Sequence, residues 1–196
     1  MEGPEGPVVL ADVADNPGGG GSGDTIYILK ELLRQGAKNV AMAIIWDPET
    51  IEQAVAAGVG SRIKVRLGGK MEPQFPDSIE VEATVKTIAD GIFINKGPMG
   101  RGLRNDVGRL VALDIDGIEV VIPERRIQPW DPEIFRRVGI EPTDKQIVVV
   151  KSSLHFRAAF TPIASEIIEV DAPGITAINF HQFNFKNVTR PIFPLD

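Results

Sequence analysis

Apolar residues fall into two rhythms along this chain. At both ends they form short continuous runs; in the middle they alternate with polar residues. Val8 to Ala14 is continuous, as is Asn39 to Trp46 (NVAMAIIW) and Lys145 to Val150 (KQIVVV). Such runs suit strands buried on both faces of a parallel sheet. Between the first two, Ile26, Ile28, Leu29, Leu32 and Leu33 recur at helical spacing. The spacing predicts a helix over 25–35, with Asp24 as N-cap and Gly36 closing it. Asp47-Pro48 opens a second helix, which runs to about Ala57 and stops at Gly58. Strand, helix, strand, helix implies a parallel α/β unit.

The rhythm then changes. Ile63, Val65 and Leu67 alternate with Arg62, Lys64 and Arg66, and Ile79 to Thr87 alternates again. Gly91 to Asn95 continues as a strand, followed by the glycine-rich loop 96–105. Arg109 to Ile122 reads as a hairpin around Asp116-Gly117, a strong two-residue turn signal. Pro132 starts a short helix to about Val138, and Thr161-Pro162 another to about Ile167. The expected fold is mixed α/β (α+β): a short parallel strand–helix frame with an antiparallel β-rich region at about 61–128. Residues 1–7 read as a Gly/Pro lead-in and 8–196 as one domain.

Composition narrows the function. With 196 residues, 43% of them hydrophobic, the chain can bury about 70% of its unfolded surface. A net charge of −6 and the lack of a basic stripe argue against nucleic acid. No apolar run reaches the ~20 residues that span a bilayer, and the start of the chain lacks a signal-peptide core. Cytoplasmic location is therefore the default expectation. The absence of cysteine removes disulfides, thiolate metal sites and thiol nucleophiles.

Two polar segments leave core strands. The first is Asp15-Asn16-Pro17, four glycines (Gly18 to Gly21), Ser22, Gly23 and Asp24. Strand, glycine loop, helix is the layout that aims backbone N–H groups at an anion. Gly18, Gly20 and Gly23 fit G-x-G-x-x-G with Asp47 after the next strand, the dinucleotide spacing. Four glycines in series match that pattern cheaply, and the strand–helix repeat ends after two units. A P-loop is rejected, because Asp24 stands where its lysine belongs. A structural loop needing positive φ is the plain alternative. We expect an anion-holding or substrate-facing loop, with Asp15, Asn16, Gly18, Gly19 and Gly20 at its mouth.

The second segment is Lys151-Ser152-Ser153-Leu154-His155-Phe156-Arg157. If it is extended, Ser153, His155 and Arg157 share one face. With Lys151 they would suit a carboxylate or phosphate. The two histidines, His155 and His181, lie 26 positions apart, which makes the chain a poor zinc site by itself. No G-x-S-x-G nucleophile elbow is present.

These segments together resemble the C-terminal domain of the microcystinase C (MlrC) family. The resemblance rests on Asp15 to Gly20 with Gly23-Asp24-Thr25, on Val150 to Ser153 with His155 to Phe160, on Val170 to Gly174, and on Arg190 to Asp196. It implies a zinc metallopeptidase-like hydrolase whose named member cleaves linearised microcystin peptides. It also implies metal ligands in a preceding N-terminal domain, so this chain would not be competent alone. The implied partners are that N-terminal metal-binding domain or subunit and a peptide-like or small anionic substrate, with homo-oligomerisation left open. Asp15, Asn16, Gly18, Gly19, Gly20, Lys151, Ser153, His155 and Arg157 would line the cleft. A non-enzymatic anion-binding or assembly module is the alternative.

Overall fold

A computed structural model describes residues 6–196. Most of the expected lead-in, residues 1–5, lies outside these. Pro7 is buried, and its carbonyl accepts the Ser165 N–H (2.9 Å).

The described residues build one mixed sheet of eight strands in the order β3-β4-β5-β6-β2-β7-β1-β8. The strands are β1 (Val8–Asp12), β2 (Val40–Ala43), β3 (Arg62–Leu67), β4 (Ile79–Ile94), β5 (Arg104–Ile115), β6 (Ile118–Pro123), β7 (Ile147–Val150) and β8 (Glu166–Val170). The helices are α1 (Tyr27–Arg34), α2 (Pro48–Ala57), α3 (Glu133–Arg136) and α4 (Arg157–Phe160). β6, β2, β7, β1 and β8 run parallel; β3 to β6 pair antiparallel. The expected mixed class is what forms.

The continuous apolar runs are continuous because both sheet faces are covered. Val40, Met42, Val149 and Val120 meet α1 and α2 through Leu29, Leu32, Ile51 and Ala54. On the other face Val9, Ala41, Ala43, Val148 and Val150 meet Phe135, Phe156 and Phe160 from around α3 and α4. Period-2 alternation sends adjacent residues to opposite layers. The antiparallel arm is one-sided: Val65, Leu67, Val81, Ala83 and Val85 share the α2 layer, while Arg62 and Lys64 face solvent and pair with Glu82 and Glu80.

Local signals fix several elements as expected. The Asp47 carboxylate accepts the Thr50 N–H (3.2 Å), Pro48 opens α2, and Gly58 follows it at φ +85°. At the β5–β6 turn Asp116 and Gly117 have φ +52° and +85°, the left-handed pair of a two-residue hairpin turn.

Three expectations need correction. Residues 161–167 do not form a helix. Glu166–Val170 is instead the edge strand β8, parallel to β1 in the register Val8↔Glu166 to Asp12↔Val170. The helix there is α4, one turn earlier. Strands at 79–87 and 91–95 are one strand, β4, bent by register shifts at Val85/Thr87 and Asp90/Ile92. Gly91 marks a close approach: a Cβ there would meet Gly108 O at 2.7 Å. Finally, Asp24 does not cap α1. The helix starts at Tyr27 after Ile26, which offers no side-chain cap.

Candidate functional site

The five parallel strands end on one edge, where open α/β sheets place their ligands. The loops leaving β1, β2, β6, β7 and β8 meet there. Their organising group is the Asp15 carboxylate, which is buried. Its Oδ1 accepts the Gly23 N–H (2.7 Å) and lies 3.2 Å from Ser22 Oγ. Its Oδ2 accepts the Thr25 N–H (2.8 Å) and Thr25 Oγ1–H (2.9 Å) and lies 3.1 Å from Lys151 Nζ. Burial alone would push this carboxyl up; the Lys151 ammonium and the Gly23 and Thr25 amides outweigh it and hold the carboxyl below its ordinary value.

Lys151 stands at the end of β7 with no exposed surface. Its Nζ reaches Asp12 Oδ2 (2.7 Å), Thr25 Oγ1 (2.9 Å) and Asp15. Three partners saturate the ammonium's three donors. Burial disfavours its charge, but Asp12 and Asp15 more than offset this and hold Lys151 above its ordinary value. The ion cluster ties β7, β1 and the glycine loop together beneath the surface.

The glycine amides are all committed within the loop. Gly18 N–H donates to Asn16 Oδ1 (2.9 Å), Gly19 and Gly21 to Asn16 O (2.9 and 2.8 Å), and Gly20 to Pro17 O (3.2 Å). With Gly23 on Asp15, the anion this loop holds is the protein's own carboxylate. An external anion would have to displace one of these bonds. Close packing explains Gly21, where a Cβ would stand 2.7 Å from both Asn16 N and Asp15 C. Gly20 takes φ +100°, a region L side chains rarely adopt.

Asp24 performs a second anchoring task. Its Oδ2 accepts the Lys70 and Met71 N–H groups, both at 2.7 Å, and Ser22 Oγ–H donates to its Oδ1 (2.5 Å). Asp47 accepts the Gly68 N–H (3.0 Å) and pairs with Lys70 (3.0 Å). These contacts draw the β3–β4 loop against the glycine loop. Asp47 is fully engaged, so the ribose-binding part of the dinucleotide pattern finds no free carboxylate here.

Above this buried layer lies an open cleft of about 620 Å³. Asn16, Ser153 and Thr176 form its polar end, and Ile178, Phe180, Phe183 and Phe185 its apolar end. Asn16 Nδ2 donates to Ser153 Oγ (3.0 Å) and Asn16 N–H to Thr176 Oγ1 (2.9 Å), whose own hydroxyl donates to Val13 O (2.9 Å). This links the loops after β1, β7 and β8. Gln128 supports the rim: its Nε2 donates to Ser152 Oγ (2.8 Å), leaving Oε1 for the Nδ1–H of His155 (3.0 Å). The His155 ring also meets Trp130 edge-on at 6.0 Å. In the neutral ring this leaves Nε2 as the acceptor.

The residues nominated from sequence therefore separate. Asn16, Gly19 and Ser153 face the cleft. Gly18 packs at Gln128, Gly20 is the exposed loop tip, and His155 is exposed beside the rim. Asp15 and Lys151 lie beneath the surface and have no face to offer a ligand. Arg157 turns to Glu169 (2.6 Å) and over the Phe156 ring (5.4 Å). The segment after β7 is a bend and a turn leading into α4, so Ser153, His155 and Arg157 do not align as an extended face.

Sequence reasoning passed over Asp12, Thr25, Gln128, Thr176 and the three cleft phenylalanines. Asp12 had a usable signal, as the one charged residue inside the apolar run 8–14, and Thr25 as the polar residue before Ile26. Gln128 and Thr176 had none, since their partners lie 24 and 160 positions away. Among the described residues no group of three or more His, Asp or Glu side chains is placed to hold a metal. Asp12, Asp15, Asp24 and Asp47 are consumed by protein donors, so among the described residues these carboxylates do not fit a metal. No described helix is long and apolar enough to cross a membrane.

A mixed sheet with interlocked loops and a cleft over the carboxyl ends of its parallel strands defines a mixed α/β domain. The chain belongs to the MlrC C-terminus family, whose model matches residues 10–187. It is 30% identical over 190 residues to Microcystinase C from Sphingomonas sp., covering 97% of this chain and 36% of that protein. It also resembles the crystal structure of the "Putative metallopeptidase" from Mesorhizobium sp. BNC1, with 29% identity and a TM-score of 0.86, covering 98% of this chain and 38% of that one. The chain thus spans little more than a third of the length of either relative.

Proposed function

We propose that the chain acts as the C-terminal domain, or a separately encoded subunit, of an MlrC-like metallopeptidase-type hydrolase. In this reading it supplies one wall of the substrate cleft, and zinc is held by the polypeptide that precedes it. The observation that carries the reading is the meeting of Asn16 and Ser153 at the polar end of the cleft. Family membership and the metallopeptidase relative support the hydrolase class.

Asn16 and Ser153 would pair with a peptide-like substrate, and His155, with Nε2 free, would accept a hydrogen bond at the rim. Asp15 and Lys151 would act from below, holding the glycine loop so that Asn16 and Gly19 keep their positions. A small-anion site is the weaker reading, because the glycine amides and the Lys151 ammonium are already engaged.

The test is zinc analysis together with a peptidase assay, on this chain alone and joined to the preceding segment. The joined protein should hold zinc and cleave peptide; this chain alone should do neither. Stoichiometric zinc in this chain alone would overturn the assignment of the metal to the other part.

A further inference from the structure

The stretch 177–195 is unlike the rest of the surface. Ile178, Phe180, Phe185, Val188, Ile192 and Phe193 are all exposed, Phe193 by 90%. All but Ile178 line a second, apolar concavity of about 230 Å³, which shares Phe180 and Phe185 with the cleft. Scattered apolar residues on a surface need no explanation, but a contiguous set of this kind marks an interface. In a chain of net charge −6, the stretch also carries Lys186, and Arg190 paired with Asp196 (2.8 Å).

We infer that this tail is the seat of the polypeptide that precedes the MlrC C-terminal domain in longer relatives. The inference rests on the proposed reading of the chain as one part of a larger hydrolase. About two thirds of each relative lies outside the match, and the matching model is that of the family's C-terminus. The matching partner surface is apolar, with an acidic group to meet Lys186. Since Phe180 and Phe185 also wall the cleft, a partner seated on the tail stands over the cleft and narrows its entrance.

The experiment compares amide exchange in this chain alone and in this chain joined behind the preceding segment of the Mesorhizobium protein. Exchange within 178–193 should slow at least tenfold on joining, while the distant loop 97–102 stays unchanged. Unchanged exchange at 178–193 overturns the inference. So does protection of the tail in the isolated chain together with a dimer mass by light scattering. The paired substitutions Phe180→Asp and Phe193→Asp should abolish the protection and leave the circular dichroism spectrum intact; protection that survives them also overturns it. If joining impairs folding, p-benzoylphenylalanine at position 193 replaces the joined protein. It should cross-link to the separately produced segment, and cross-linking to this chain alone contradicts the proposal. Lost hydrolysis with protection intact counts against the catalytic reading only. Lost protection with hydrolysis intact counts against the docking surface only.

Discussion

Lys151→Met removes the cation at the centre of the buried cluster while largely keeping the side-chain volume. Lys151 Nζ lies 2.7 Å from Asp12 Oδ2 and 3.1 Å from Asp15 Oδ2, and none of the three residues is more than 1% exposed. The substitution leaves two buried carboxylates facing each other without a counter-charge. Breaking a buried pair in this way costs about 3–5 kcal/mol. For a chain of this size that lowers Tm by roughly 6–20 °C. Urea unfolding followed by the fluorescence of Trp46 and Trp130 measures the loss directly. The pH dependence supplies an independent signature. Without Lys151, burial raises the Asp15 carboxyl above its unfolded value, so the variant binds a proton on folding. Its stability should therefore rise as pH falls from 7.5 to 5, narrowing the gap to wild type. A loss below about 1 kcal/mol, or a gap constant across that range, would refute the ion cluster as the support of the glycine loop.

Further outcomes follow from the same geometry. In the wild-type protein the lowered Asp15 carboxyl contributes stability that is present above the unfolded value of 3.8 and is lost as pH falls through the folded one. The raised Lys151 contributes below 10.5 and is lost as pH climbs past its folded value, so the urea midpoint should plateau between these limits. Gly21→Ala sets a Cβ against the backbone of Asp15 and Asn16 and should cost about 1–3 kcal/mol by urea unfolding. Gly20→Ala, with nothing within 4 Å, meets only the unfavourable φ and should cost about 1–2 kcal/mol. Asp47→Ala removes the cap of α2 and the acceptor for Gly68 and should cost about 2–4 kcal/mol; an unchanged midpoint would count against that anchor.

The parts of the fold legible in the sequence are those fixed by neighbours. Asp47, Pro48 and Gly58 delimit α2 within a dozen residues, and Asp116-Gly117 sets its own turn. The strand β8 was hidden because its pairing partner, β1, is 158 positions away, while Thr161-Pro162 offers a strong local helix start. Once β1 lies alongside, Glu166–Val170 forms ladder bonds that no short window contains. Asp24 misleads for a related reason. A carboxylate before a helix reads as a cap, yet its bonds go to Lys70 and Met71, brought near by the β3–β4 loop. Of the nominated site, Asn16 and Ser153 were recognisable by leaving core strands. The burial of Asp15 and Lys151 was not, since a lysine is almost never fully buried unless paired and its partner Asp12 is 139 positions away.

The central claim is that this chain contributes a cleft wall, through Asn16 and Ser153, to a hydrolase whose metal centre lies in the preceding segment. The most direct measurement is kcat/KM of the joined protein on a defined set of linear peptides, followed by mass spectrometry, with zinc content measured in parallel. The double substitution Asn16→Ala and Ser153→Ala should lower kcat/KM at least tenfold with zinc content nearly unchanged, while loss of the bonds to Gly18 and Ser153 costs only about 1–2 kcal/mol by urea unfolding. Undiminished turnover in that double variant, or turnover by this chain alone, would contradict the account.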